Sequence, residues 1–100
     1  METPEREDPH PPAELLESTH QFPGVYTIKA IGNASNEFES RVLRAAQLNL
    51  AAPSDLDYSV RTTQGGRHLA ITLQLTVQTA EQVRKIYAEI REVEGLTLLL

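Results

Sequence analysis

The sequence predicts an α+β domain: a four-stranded antiparallel sheet with two helices on one of its faces. Three observations lead there. Apolar patterning over residues 21–100 runs strand, helix, strand, strand, helix, strand. The two middle strands flank Gly65-Gly66 and alternate apolar with polar residues. Each helix has a single apolar stripe, so each has one side to bury and must share the sheet's apolar face.

The first strand runs from Phe22 to Ile31. Val25, Thr27, Lys29 and Ile31 point one way, and Tyr26, Ile28 and Ala30 the other. Pro23 suits the start of a strand, because it cannot donate to the ladder. Gly32-Asn33 breaks the run.

A helix follows over residues 36–50. Phe38, Val42, Ala45 and Ala46 share one face. Ser35 or Asn36 is suited to cap its start, and Glu37 and Glu39 complement its dipole. Ala51-Ala52-Pro53-Ser54 ends it.

The hairpin pairs Tyr58–Thr63 with Arg67–Val77 around the two glycines, which supply the positive φ of a tight turn. This centring sets Tyr58, Val60 and Thr62 opposite Leu73, Ile71 and Leu69. Ser59, Arg61 and Thr63 then oppose Thr72, Ala70 and His68. A slip by one residue would mix apolar with polar side chains on both faces, so this register is favoured.

The second helix spans residues 80–93. Thr79 with Gln82 forms a capping box, and Val83, Ile86, Tyr87, Ile90 and Val93 make the buried stripe. Gly95 supplies a left-handed stop. Leu96–Leu100 is a short apolar terminal strand. The complete order is the ferredoxin-like βαββαβ split fold. Ile86→Asp is expected to unfold it, and replacement of Glu5 to leave it unchanged. The uncovered sheet face is expected to be polar, with Thr27, Lys29, Ser59, Arg61, Thr63, His68, Thr72 and Gln74.

Of the 100 residues, 1–20 read as a largely disordered acidic, proline-rich tail and 21–100 as one domain. A short helical turn at 14–17 is expected to dock Leu15 and Leu16. The tail holds six acids against Arg6, which accounts for the whole net charge of −5 and leaves the body neutral. A neutral body lacks the electrostatic footprint of a DNA or double-stranded RNA binder. The chain contains no Cys, which excludes disulfides, thiolate metal sites, iron–sulfur clusters and a Cys nucleophile. No apolar run approaches the roughly 20 residues that span a bilayer, and the polar start is no secretory signal. The expectation is a cytoplasmic protein with no membrane association.

Several stretches together resemble a known family. Glu14-Leu15-Leu16-Glu17, then Phe22-Pro23 with Lys29 and Ile31-Gly32, is similar to the opening of the small bacterial YbeD-like proteins. Gly65-Gly66, the alternating strand to Val77, Glu81-Gln82-Val83, Ile86-Tyr87 and Glu89-Ile90 extend the resemblance over residues 14–100. Residues 18–21 add a spacer, and residues 1–13 an extension, to that pattern. The resemblance implies a ferredoxin-like domain similar to ACT regulatory domains that sense small molecules. It implies no established activity and transfers no catalytic residue.

A ferredoxin-like fold leaves function open, so each chemistry it can host depends on its residues. The first loop, Gly32-Asn33-Ala34-Ser35-Asn36, has no phosphate-binding Arg. The open face offers no aromatic platform for RNA bases, because Tyr58 sits on the apolar side of its strand. His10, His20 and His68 lack ligand spacing, so no metal and no cofactor is expected. Ser59 and His68 share a face but stand too far apart for a nucleophilic triad. Asn33-Ala34-Ser35 matches a glycosylation sequon, read here as turn and cap. Gly65-Gly66-Arg67 is read as a turn rather than an anion cradle.

No catalytic set emerges. The candidate interaction surface is Lys29, Arg61, His68, Thr72 and Gln74, and the candidate ligand loop is Gly32, Asn33 and Ser35. The expected function is a non-enzymatic, ACT-like regulatory or interaction module. It would bind a small-molecule ligand or a partner protein, and could form a homodimer. The alternative is a small enzyme or RNA-associated accessory protein acting through the polar sheet face.

Overall fold

A computed structural model describes residues 11–63 and 65–100. Helix α1 (Ala13–Thr19) leads into strand β1 (Gly24–Asn33), helix α2 (Phe38–Gln47) and a single 3-10 turn (Pro53–Asp55). Strands β2 (Leu56–Thr62) and β3 (His68–Val77), helix α3 (Ala80–Arg91) and strand β4 (Leu96–Leu99) complete it. The sheet order is β2-β3-β1-β4, antiparallel throughout. The chain is therefore α+β and ferredoxin-like, with α2 and α3 on one side of the sheet.

The hairpin register is the one that the two-glycine turn dictates. Tyr58 faces Leu73, Val60 faces Ile71 and Thr62 faces Leu69. β1 lies along the other edge of β3, with Tyr26, Ile28 and Ala30 opposite Leu75, Leu73 and Ile71. Those six form the buried floor. Phe38, Val42, Ala45 and Ala46 of α2 and Val83, Ile86, Tyr87 and Ile90 of α3 close over it. Burying a large apolar side chain is worth about 1.5–3 kcal/mol, so this interdigitation holds the helices to the sheet.

The α3 start is capped as its sequence requires. Gln82 N–H donates to Thr79 Oγ1 (3.1 Å), and Gln82 Oε1 accepts from Gln78 N–H (2.7 Å). Gly95 has φ +98°, the left-handed turn into β4.

Four expectations need correction. The turn at 14–17 is a two-turn helix, and of its leucine pair Leu16 is buried whereas Leu15 is exposed. α1 packs on α3, and Arg84 Nε donates to the Pro11 carbonyl (2.9 Å) beside it. The expected disorder of the leading segment falls mainly on residues 1–10, outside the described residues. α2 starts two residues late and has no side-chain cap. Asn36 and Glu37 have φ of 60° and 57°, so Glu37 occupies the cap position in a left-handed conformation. Arg41 closes this irregular turn, donating from Nε to the Asn36 carbonyl (3.0 Å) and from Nη1 to the Glu94 carbonyl (2.8 Å). Third, β1 continues through Gly32-Asn33 instead of breaking there. Fourth, the open sheet face is only half polar.

Candidate interaction surface

Antiparallel pairing puts directly opposed residues on the same face. On the face away from the helices this produces rows across the sheet. Asp57, Gln74 and Thr27 form one. Ser59, Thr72 and Lys29 form the next, and Leu100 extends it through a pair of backbone hydrogen bonds with Lys29 (2.8 and 3.2 Å). Arg61, Ala70, Ile31 and Leu98 form the third. His68 opposite Asn33 closes that end, and Val25 opposite Thr76 the other.

The five residues proposed from sequence (Lys29, Arg61, His68, Thr72 and Gln74) therefore share this face. Lys29 and Thr72 are directly opposed. His68 stands four positions along β3 from Thr72, about 13 Å at the usual strand rise. Ser59 faces Thr72, so Ser59 and His68 are beyond proton-transfer reach, which requires hydrogen-bond contact or a single bridging water.

The aliphatic side chains of this face gather on β4 and at Val25 and Ile31 of β1, with Thr27 and Lys29 between them. Leu98 is 48% and Leu100 59% exposed, beside Ile31, and Val25 is exposed further along β1. Val25 and Ile31 were legible as outward residues. The two leucines were not, because Leu98-Leu99-Leu100 in succession do not reveal which of them face the core. The β1–β4 pairing decides it: Leu99 opposite Ala30 turns inward, so Leu98 and Leu100 turn outward. The surface is thus two-toned, with hydroxyls, amides and charges over β2 and β3 and aliphatic groups over β4.

A hollow of about 140 Å³ opens at the polar end, lined by Asp57, Tyr58, Ser59, Thr72 and Gln74. It is well below the 300 Å³ or more of common small-molecule pockets. A larger hollow, about 390 Å³, lies on the helix side between the end of α2 and the start of α3 and involves Asn49, Gln82 and Lys85. Neither includes the proposed ligand loop. Gly32 and Asn33 are adjacent strand residues facing opposite sides of the sheet, and Ser35 is an exposed turn residue. A Cβ on Gly32 would lie 2.3 Å from Phe38 Cζ and 2.5 Å from the Gly95 carbonyl oxygen. That glycine is there to let Phe38 and the α3–β4 turn approach, not to line a ligand cavity.

A buried polar contact lies beneath the sheet. The Tyr26 and Tyr87 hydroxyls are 3.1 Å apart, with their rings edge to face. Tyr87 also donates to the Leu100 carbonyl (3.4 Å). Burial, reinforced by the Tyr26 hydrogen bond, pushes the Tyr87 phenol well above its ordinary value.

The family model described as "Protein of unknown function (DUF493)" matches residues 17–100. The chain belongs to the DUF493 family. Its relatives include UPF0250 proteins of Shewanella piezotolerans, 31% identical, and Shewanella sediminis, 32% identical, each over 80 residues, covering 80% of this chain and 89% of the relative. The YbeD-like resemblance is therefore correct. Among solved structures, the chain is similar to the ACT domain from GTP pyrophosphokinase of Chlorobium tepidum. The TM-score is 0.55 at 15% identity, over 76% of this chain and 94% of that one, a likeness of fold. Among the described residues of this DUF493 chain, no helix is long and apolar enough to cross a membrane.

Proposed function

We propose that this DUF493 chain is a non-catalytic interaction module whose open sheet face takes a partner protein. The carrying observation is the aliphatic group of half-buried Ile31 with exposed Leu98 and Leu100, with Lys29 beside Leu100 and Arg61 across Ala70 from Ile31. An apolar patch with an adjacent cationic border suits a partner surface that offers apolar side chains edged by carboxylates. The hollow on this face is small, about 140 Å³, which favours a macromolecule over a metabolite. The proposed setting is the cytoplasm, in keeping with the Cys-free composition.

The test uses affinity-tagged full-length chain expressed in its own cells. Wild type is compared with Leu98→Glu/Leu100→Glu and with Lys29→Glu/Arg61→Glu. All four side chains are outside the core, so far-UV circular dichroism should be unchanged. Retention of one partner by wild type and its loss from both variants is the expected result. Undiminished retention by both variants would refute the assignment of this face. A rise of several degrees in melting temperature with one amino acid or small carboxylate would instead favour a metabolite sensor.

A further inference from the structure

The outer edge of β2 carries a second, independent surface. The two helices lie over β1 and β3 and leave β2 largely bare. Tyr58 is 44% and Val60 36% exposed, although both sit on the apolar side of the sheet. Thr63 N–H donates inward to the His68 carbonyl. Backbone alternation then turns the N–H and C=O groups of Leu56, Tyr58, Val60 and Thr62 outward, away from β3. Two of these donors have local partners: Leu56 N–H is taken by the Pro53 carbonyl, and Tyr58 N–H by Asp57 Oδ1 at 2.9 Å. Val60 and Thr62 have none among the described residues, and an edge strand with open groups is a template for another strand.

We infer that β2 pairs antiparallel with β2 of a second copy of this chain, about a two-fold axis through Ser59. The charges select both the occupant and the register. With Ser59 facing Ser59, Asp57 of each copy faces Arg61 of the other, so two opposite-charge pairs form on the open-face side. Moving the axis to position 61 sets two arginines face to face, and moving it to 57 sets two aspartates. Arg61 has no hydrogen bond or ion pair among the described residues, so it is free for this contact.

The backbone agrees with the same register. Val60 N–H donates to the Tyr58 carbonyl of the other copy, and Thr62 N–H to its Leu56 carbonyl. Asp57 leaves Tyr58 N–H for Arg61 of the other copy, and the freed N–H donates to the Val60 carbonyl across the axis. On the helix side Tyr58 then covers Val60 of the other copy. Asp57 acts as a guard on the edge in the single chain and as an ion-pair partner in the pair. The axis is perpendicular to the sheet, so the eight strands form one sheet and both open faces remain on the same side.

Sedimentation velocity of the full chain over a concentration series tests this. Wild type should sediment as a dimer that weakens with added salt. Asp57→Arg and Arg61→Asp, singly, should each raise the dissociation constant by at least about tenfold, as lost attraction gives way to like-charge repulsion. The double exchange Asp57→Arg/Arg61→Asp rebuilds both pairs with reversed polarity and should restore the dimer. Far-UV circular dichroism should be unchanged in all three, since both side chains are exposed. A wild type that stays monomeric at every concentration overturns the inference. So does a double variant no tighter than the singles, or singles as tight as wild type. Leu98→Glu/Leu100→Glu should leave the dimer intact, so failure of the partner-protein reading and failure of this one are distinguishable.

Discussion

The hydroxyls of Tyr26 on β1 and Tyr87 on α3 meet at 3.1 Å inside the core, tying the central strand to the longest helix. The Tyr87 phenol, buried there, favours its neutral form. Burial, with the Tyr26 hydrogen bond, raises the Tyr87 pKa above the ordinary 10.0. The unfolded chain therefore gives up this proton first as pH rises. Its stabilising effect is fully present below about pH 10 and is lost progressively above that value. Urea unfolding should show constant stability contributed by this group from about pH 8 to 9.5 and a decline beyond about pH 10. Tyr87→Phe should cost about 1 kcal/mol at neutral pH and flatten the alkaline decline. An unchanged alkaline slope in that variant would show that another group controls it.

Gly32 is required for space. In Gly32→Ala the new methyl meets the Phe38 ring and the Gly95 carbonyl together. The ring could shift, but the backbone oxygen could not without moving the turn. A loss of about 1–3 kcal/mol is expected. Phe38→Leu in the same chain should recover part of it, measured as the urea midpoint.

The leucine pair of α1 separates a buried anchor from a surface residue. Leu16→Ala should cost about 2 kcal/mol, at the lower end for a buried leucine because α1 is peripheral and can relax. Leu15→Ala should fall within about 0.5 kcal/mol of wild type. Equal effects of the two would mean that α1 does not dock as described.

Arg41 joins the β1–α2 turn to the α3–β4 turn through two carbonyls. Arg41→Met retains the aliphatic stem and removes both bonds. Stability should fall by about 1 kcal/mol. Amide exchange around Asn33 and Gly95 should accelerate, while the β3 amides keep their protection. Uniform acceleration across the sheet would assign Arg41 a global role instead.

How much of this was legible in the sequence differs by element. The β2–β3 register followed from a two-glycine turn and two alternating strands, because a hairpin closes locally and admits one match of apolar to apolar. The α3 cap and stripe followed from Thr79, Gln82 and the spacing Val83, Ile86, Tyr87, Ile90. The α2 start did not. Ser35 and Asn36 are ordinary cap residues, but Arg41 ties the turn's Asn36 carbonyl to the Glu94 carbonyl of a distant segment. The proposed surface residues were legible as one face because period-two alternation assigns strand faces. Its aliphatic half was not, since Leu98 and Leu100 depend on how β4 meets β1.

By itself the sequence determined what is encoded within a segment or across a short turn: the order of elements, the buried stripes, the hairpin register and the family. The tertiary structure alone decided which leucines of the last strand face outward, why Gly32 must lack a side chain, and that β2 lies beyond the cover of the helices. The physical reason is range. Periodicity and capping act between residues a few positions apart, whereas the pairing of β1 with β4 and the placement of helices over strands are settled when segments tens of residues apart close on one core.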